Sequence, residues 1–313
     1  EPHCGTDLGL LRTRAEPTKE DTYRITGTKI FITAGEHDLT ENIVHLVLAR
    51  LPDSPAGIKG ISLFLVPKFV PDEQDEPGDR NSVTCASIEH KMGIKASATC
   101  VMNFEEATGW LVGQPHRGMQ AMFTMMNDAR LGVGMQGLGI AEIAYQAAGA
   151  YAKERLQGRA ISGTKQPDKP ADPLIVHPDI RRILLTMRSF TEGARALTCW
   201  LARNLDFRDK AETKEARQAA DDFVQLMTPI VKAFLTDYGF EVTNMGLQIH
   251  GGHGYIRETG VEQYVRDARI TQIYEGANGI QALDLVGRKL PTHTGRYLRS
   301  FFHPVQSWIE KHS

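Results

Sequence analysis

Residues 177–207 read HPDIRRILLTMRSFTEGARALTCWLARNLDF, and this stretch decides the class of the fold. Its apolar residues recur three and four positions apart, which is the spacing of one face of an α-helix. Pro178 suits the first turn of such a helix, and Asp179 complements the positive end of its dipole. The stretch therefore predicts a long amphipathic helix.

Three more stretches have this helical spacing. They are residues 119–157, 214–251 and 278–290. Pro229 lies inside the third of the four helices in chain order and predicts a kink there. One proline-rich connection, residues 166–173, joins the first two helices. Because long helices joined in this way pack antiparallel, we predict a C-terminal four-helix bundle.

The first third of the chain has a different sequence pattern. It contains short apolar runs rich in β-branched residues, which predict strands. These runs are residues 23–35, 42–51, 60–69 and 99–107. Thr26-Gly27 predicts a turn, and the acidic, proline-containing residues 70–82 predict a loop. No helical stretch separates the strands, which favours a β-sandwich or barrel. We predict an α+β multidomain protein with a β-domain over residues 1–112 and a helical-bundle domain over residues 113–313.

Composition and charge narrow the classes of function. The chain has 313 residues and a net charge of −2, so electrostatics give no reason to expect nucleic acid or an anionic membrane as a partner. No apolar run reaches the length of about 20 residues that a membrane span needs. Cysteines occur at four scattered positions without a CxxC pair, which favours free thiols: Cys4, Cys85, Cys100 and Cys199.

Two local motifs each have a functional and a structural interpretation. Gly132, Gly134 and Gly137 match the dinucleotide pattern GxGxxG, but no strand precedes them. We therefore interpret them as glycines that let two helices approach closely. His250 and His253 have a spacing compatible with a metal site, but a third ligand is missing, so we predict no metal.

Glu275 stands alone in the stretch TQIYEGANGIQ, residues 271–281, between Tyr274 and Gly276. Taken by itself, an isolated glutamate is most often a solvated surface acid. A catalytic carboxylate in a pocket is the alternative, because desolvation makes a carboxylate a stronger base.

Seven motifs in one order resemble the acyl-CoA dehydrogenase family over nearly the whole chain. They are EPHCGTD (1–7), ITGTKIFITAG (25–35), KMGIKASATC (91–100), MNDARLGVGMQGLGIAE (126–142), YAKERLQGR (151–159), QIHGGHGY (248–255) and YEGANGIQ (274–281). The insert at residues 163–182 resembles the large bacterial members, such as the 3-methylmercaptopropionyl-CoA dehydrogenases. The resemblance implies a helical N-terminal domain, a middle β-domain and a helical bundle, with FAD between the last two. Because the chain opens inside a motif, we expect that it lacks the N-terminal helical domain.

The implied reaction is α,β-dehydrogenation of an acyl-CoA thioester, with Glu275 as the base for the α proton and flavin N5 as the hydride acceptor. By resemblance, Phe31 packs behind the flavin and Thr33 donates near N5, while Arg155 and Gln248 reach the flavin of a neighbouring subunit. The complete set of implied flavin contacts is Thr6, Phe31, Thr33, Arg155, Gln248, Gly251, Gly252 and Asn278. The implied substrate contacts are Asn127, Arg130, Tyr274 and Gly276.

The resemblance also implies a homodimer or homotetramer that passes electrons to an electron-transfer flavoprotein. The expected location is the cytoplasm of a bacterium, or the mitochondrial matrix of a eukaryote. Two alternatives remain open at this point. One is an oxidase-like flavoenzyme of the same fold that uses oxygen. The other is a largely non-catalytic DNA-associated relative, which would need a basic face that a net charge of −2 does not favour.

Overall fold

A computed structural model describes all residues from Glu1 to Ser313. The chain forms two compact units, Glu1–Met126 and Asn127–Ser313. Their boundary lies within the first long helix, and the predicted boundary after residue 112 stays a prediction.

The first unit is built from eight strands. They are β1 (Arg14–Pro17), β2 (Tyr23–Thr33), β3 (Val44–Arg50), β4 (Ile61–Pro67), β5 (Phe69–Pro71), β6 (Pro77–Arg80), β7 (Val83–Ile88) and β8 (Thr99–Val112). The main sheet has the order β2-β1-β3-β4-β8-β7, and an additional pairing of β2 with β8 closes it into a barrel. Its interior is apolar, with Ile25, Phe64 and Met102 among the fully buried side chains. The predicted β-domain is confirmed.

Two details of this unit differ from the sequence-based expectations. Residues 70–82 were expected as a loop, but they carry part of β5 and all of β6, which form a small two-stranded sheet. The expected turn at Thr26-Gly27 is wrong, because β2 continues through it with an irregularity between Ile25 and Gly27. Gly27 is required there for another reason. A Cβ atom at this position would lie 2.3 Å from the Oγ1 atom of Thr13.

The second unit consists mainly of helices. The seven helices of the chain are α1 (Gly118–Glu154), α2 (Pro178–Lys210), α3 (Lys214–His250), α4 (Gly252–Tyr255), α5 (Val261–Arg269), α6 (Asn278–Asp284) and α7 (Thr292–His312). Helices α1, α2 and α3 all contribute side chains to both apolar clusters of this unit. Pro178 occupies the start of α2 as predicted, and α3 continues through Pro229. None of the seven helices has the length and apolar character needed to span a membrane.

The predicted helical bundle is confirmed, but the fourth helix is not continuous over residues 278–290. Helix α6 ends at Asp284, and Leu285–Lys289 form a π-helical turn. The backbone of His293, Thr294 and Gly295 then leaves helical geometry before α7 continues. The apolar periodicity of this stretch could not distinguish one helix from two joined by a wider turn.

The glycines of α1 confirm the close-approach interpretation at two of three positions. A Cβ atom on Gly137 would lie 2.7 Å from the carbonyl oxygen of Leu235, and one on Gly239 would lie 2.7 Å from the carbonyl oxygen of Gly137. A Cβ atom on Gly134 would lie 3.2 Å from Cδ1 of Leu235, whereas Gly132 is exposed and faces open space. Helices α1 and α3 therefore cross with their backbones nearly in contact.

Candidate active site

Glu275 adopts a backbone conformation that is costly for a residue with a side chain. Its φ angle is 54°, and that of Gly276 is 85°, so two successive residues lie in the left-handed region. For an L-amino acid other than glycine this conformation costs roughly 1–2 kcal/mol. Such a residue persists only where its surroundings hold it in place.

Side chains from two helices hold this turn. The amide of Gln281 in α6 donates 3.1 Å hydrogen bonds to the carbonyl oxygens of both Glu275 and Gly276. The ammonium group of Lys232 in α3 donates to the carbonyl oxygen of Gly276 at 2.9 Å. Lys232 is fully buried and Gln281 is 1% exposed, so both donors act inside the protein.

The Glu275 carboxylate itself is half-buried and makes no hydrogen bond or ion pair within the chain. The side chain of the neighbouring Tyr274 is fixed by a hydrogen bond, because its hydroxyl donates to Oε1 of Gln136 in α1. Burial raises the pKa of Tyr274, and the Glu275 carboxylate adds to that rise. The turn is thus fixed on both sides while its carboxylate is left without a partner.

Arg130 lies next to the turn and is only 5% exposed. One of its terminal nitrogens is 3.5 Å from Oδ2 of Asp284. Another is 3.8 Å from the place that a Cβ atom on Gly276 would occupy. Asn127, one helical turn earlier in α1, is half-buried. The structure therefore groups Arg130, Tyr274, Glu275 and Gly276, as predicted for neighbours of the substrate, while their contacts with a substrate stay a prediction.

Asn278 anchors the far side of the turn to α3. Its Oδ1 accepts from the Lys232 ammonium at 2.8 Å, and its amide donates to Oδ1 of Asp237 at 2.7 Å. Gln272 donates to the same Asp237 atom at 2.8 Å. The predicted FAD contact of Asn278 stays a prediction, and its amide group has protein partners at both ends.

A second group of predicted residues meets where the C-terminal ends of α1 and α3 lie side by side. Tyr151 of α1 stacks on His250 of α3 with ring centroids 4.3 Å apart, and its hydroxyl is 3.2 Å from Nδ1 of His253. Arg155 follows one turn after Tyr151 and is exposed, and its guanidinium has no hydrogen bond within the chain. At the end of α3, Gln248 is also exposed.

Gly251 ends α3 with a φ angle of 58°. Cβ atoms added at Gly251 and Gly252 would meet nothing within 4 Å. The backbone there is therefore open to a ligand. No group of three His, Cys, Asp or Glu side chains is placed to hold a metal ion.

The predicted flavin residues of the first unit are also exposed. Phe31 is 67% exposed and has a φ angle of 59°, within the irregular register of β2 between Lys29 and Ile32. Such bulges redirect a side chain away from the regular strand face. Thr33, at the end of β2, and Thr6 are exposed as well. The contacts of Phe31, Thr33 and Thr6 with a flavin stay a prediction.

Sequence reasoning missed the residues that hold the Glu275 turn, namely Lys232, Gln281, Gln136 and Asp237. One signal was available. Lys232 lies between Val231 and Leu235 on a strongly apolar stripe of α3, where a lysine is out of place. The carbonyl group that it binds is 44 positions further along the chain, so its partner could not be read from the spacing.

Two family models match most of the chain. Residues 1–107 match the model of the acyl-CoA dehydrogenase middle domain, and residues 116–290 match that of the acyl-CoA dehydrogenase C-terminal domain. The chain is 52% identical to 3-methylmercaptopropionyl-CoA dehydrogenase of Ruegeria pomeroyi over 96% of its own length and 50% of that protein. The chain spans about half the length of the curated relatives it matches.

Two solved structures share the fold. Caenorhabditis elegans ACDH-11 in complex with C11-CoA has a TM-score of 0.84 at 25% identity, over 99% of this chain and 49% of that one. A chain of the electron-transferring flavoprotein structure of Acidaminococcus fermentans has a TM-score of 0.74 at 30% identity, over 93% of this chain and 67% of that one. Since the C-terminal domain model alone covers more than half of the residues, the chain belongs to the acyl-CoA dehydrogenase family.

Proposed function

We propose that the full-length protein removes the α and β hydrogens of an acyl-CoA thioester, with Glu275 as the base that takes the α proton. One observation carries this proposal. Glu275 is held in a costly left-handed turn by buried donors, yet its carboxylate has no partner in the chain. A solvated surface acid needs no strained and anchored backbone, whereas a base must be held in one direction with its lone pairs available.

The chemistry requires a base over the α carbon and a site that accommodates the thioester. The α C–H group is a very weak acid, so its deprotonation is slow unless a base is already held in the correct position. A carboxylate fixed in the site before the substrate binds meets this requirement. A side chain is excluded directly after the base, since a Cβ atom on Gly276 would lie 2.6 Å from the amide nitrogen of Gln281. Asn127 and Arg130 are proposed to meet the CoA portion. The related C. elegans structure is a complex with an acyl-CoA, which supports this class of substrate.

Members of this family are FAD-dependent flavoproteins. The exposed residues of this chain fit such a cofactor. Phe31 offers a ring face, Thr6 and Thr33 offer hydroxyl groups, and Arg155 offers a free guanidinium that suits phosphate oxygens. When bound, FAD supplies the acceptor for the β hydride.

Arg155 and the Glu275 turn are too far apart to serve one end of the same cofactor. Gln136, which touches Tyr274, and Arg155 are nineteen residues apart on and just beyond α1, or about 28 Å at the helical rise. The family resemblance implies that Arg155, with Gln248, Gly251 and Gly252, binds the FAD of another copy, and this separation is compatible with that proposal. The active form is then at least a homodimer.

Replacing Arg155 by alanine is expected to weaken FAD binding roughly tenfold to a hundredfold, since a charge-assisted hydrogen bond contributes about 1.5–3 kcal/mol. FAD occupancy after dialysis measures this effect, and the rate of flavin reduction per bound FAD should change little. Lys153→Ala, at an exposed position two residues earlier in the chain, is the matched control. Equal FAD retention in both variants would remove Arg155 from the cofactor site.

The proposed function is tested by anaerobic titration of the full-length protein with acyl-CoAs of different chain lengths while the flavin absorbance is followed. Loss of that absorbance with a matching yield of 2-enoyl-CoA is expected. No response to any acyl-CoA would contradict the proposal.

The electron acceptor is tested separately. We propose an electron-transfer flavoprotein, in line with the fold shared with a chain of the A. fermentans structure. The measurement is the peroxide yield per turnover in air, which we expect to be low. Near-stoichiometric peroxide would favour the oxidase alternative.

A further inference from the structure

Lys232 is a buried cation without a carboxylate partner. Its side chain is fully buried in the middle of α3, and its ammonium group forms no ion pair. Its two acceptors on the Glu275 turn are neutral oxygens, those of the Gly276 carbonyl and the Asn278 amide. Placing a charge in the interior without an opposite charge is unfavourable by several kcal/mol. An apolar side chain would therefore stabilise the fold better, which suggests that Lys232 is kept for another purpose.

The electrostatic surroundings of Lys232 also disfavour its charged form. The pKa of Lys232 is lowered to about 8, chiefly because burial desolvates its ammonium group, with a smaller lowering contribution from Arg130 of α1. Asp237 of α3 and Glu275 of the turn act in the opposite direction. The opposing carboxylates do not offset the effect of burial.

Lys232 and Gln281 meet at one atom. The carbonyl oxygen of Gly276 accepts from Lys232 in α3 at 2.9 Å and from Gln281 in α6 at 3.1 Å. Two donors from different helices fix the plane of the peptide that follows Gly276. Because Glu275 and Gly276 are both left-handed, this peptide must be held for the carboxylate to keep its direction.

We propose that Lys232 and Gln281 are positioning residues, which hold the carbonyl oxygen of Gly276 and thereby aim the Glu275 carboxylate at the substrate. This inference rests on the proposed function for the identity of the reacting group. The positioning itself is a property of the turn and can be measured without catalysis.

The first test is Lys232→Met, which keeps the length of the side chain and removes its charge and donors. Flavin reduction by acyl-CoA is expected to slow tenfold to a hundredfold, the scale for a catalytic group displaced by about 1 Å. FAD retention and the dissociation constant of the acyl-CoA should change less than threefold. The thermal midpoint should stay the same or rise, since a buried charge has been removed. A purely structural lysine would give the opposite pattern, namely a lower midpoint and an unchanged rate.

The matched control is Lys289→Met. Lys289 is partly buried, burial lowers its pKa as it does that of Lys232, and its ammonium group donates to Gln225 rather than to the turn. Gln281→Met removes the second donor from another helix and should reduce the rate in the same way. The reduction rate of the double variant should fall by less than the product of the two single-variant factors, because both side chains donate to the same oxygen. If Lys232→Met does not fold, Gln281→Met alone decides the inference.

A measurement without substrate separates this inference from the proposed function. Amide hydrogen exchange over residues 272–280 is expected to be at least tenfold faster in Lys232→Met and in Gln281→Met than in the parent and in Lys289→Met. Parent-like exchange or parent-like reduction rates in both variants would overturn the inference. A parent protein that no acyl-CoA reduces, with exchange altered as expected, would contradict the proposed function alone.

Discussion

The Glu275→Gln substitution is expected to slow acyl-CoA-induced flavin reduction by about a hundredfold or more, while the protein keeps its FAD and its yellow colour. The physical reason is specific. Glutamine has the same shape as glutamate, but its amide cannot accept the α proton. The carboxylate makes no hydrogen bond or ion pair within the chain, so the substitution removes no contact.

The backbone of the Glu275→Gln variant should remain as it is in the parent. Gln281 and Lys232 bind carbonyl oxygens rather than the side chain of residue 275, so both anchors persist. The dissociation constant of the acyl-CoA should therefore change little, and the loss should appear in the rate constant for reduction. Rapid-mixing spectroscopy under anaerobic conditions measures both quantities.

Glu258→Gln is the control for a general effect of removing a negative charge. Glu258 is an exposed glutamate of the same unit, and its replacement should leave the reduction rate unchanged. Reduction of Glu275→Gln at the parent rate would show that another group takes the proton.

The second large effect is expected in stability, at the crossing of α1 and α3. Gly137→Val should lower the free energy of unfolding by about 3 kcal/mol, at the upper end for overpacking. The first added carbon already lies 2.7 Å from a backbone oxygen of α3, which cannot move aside as a flexible side chain would. The helices must separate, and Leu235 and Thr236, both buried at this crossing, must move with α3.

Gly132→Val is the matched control, since Gly132 lies in the same helix and faces open space. Its effect should remain within about 0.5 kcal/mol. Urea unfolding of both variants, followed by far-UV circular dichroism, measures the difference. Similar midpoints for the two variants would show that the crossing is looser than the structure indicates.

These two glycines also illustrate the limits of sequence reasoning. The motif GVGMQGLG correctly predicted a helix and a close approach, because glycines within a helical pattern have few other uses. It could not predict which glycine faces the partner helix. That depends on the rotation of α1 about its axis, which is set by the packing of the whole bundle, so Gly137 is buried whereas Gly132 is exposed.

In the β-domain, the longer strands were predicted well and the short ones were not. Strands β3 and β4 are apolar runs with many β-branched residues, and they agree with the predicted runs. Strand β1 has four residues and only Ala15 is buried, so it has almost no pattern of its own. It exists because β2 and β3 offer it hydrogen-bonding partners. Local sequence contains no information about such partners.

The site was predictable to a similar degree. The motif YEGANGIQ and its resemblance to a known family single out Glu275, and the geometry around that residue supports the assignment. The anchors are different, because Lys232 and Gln281 converge on Gly276 from two separate helices. Their role depends on a tertiary contact and on a backbone angle, neither of which a residue pattern reports.

For the proposed base Glu275, the left-handed backbone sets catalysis against stability at one residue. Glycine or asparagine would remove the backbone strain of this turn. Substitution by either residue should therefore give a more stable protein that lacks the proposed base. Among natural descendants of such an ancestor, those that abandoned dehydrogenation should drift towards these small residues. The amino acid at this position would then distinguish relatives that catalyse dehydrogenation from relatives that have lost it.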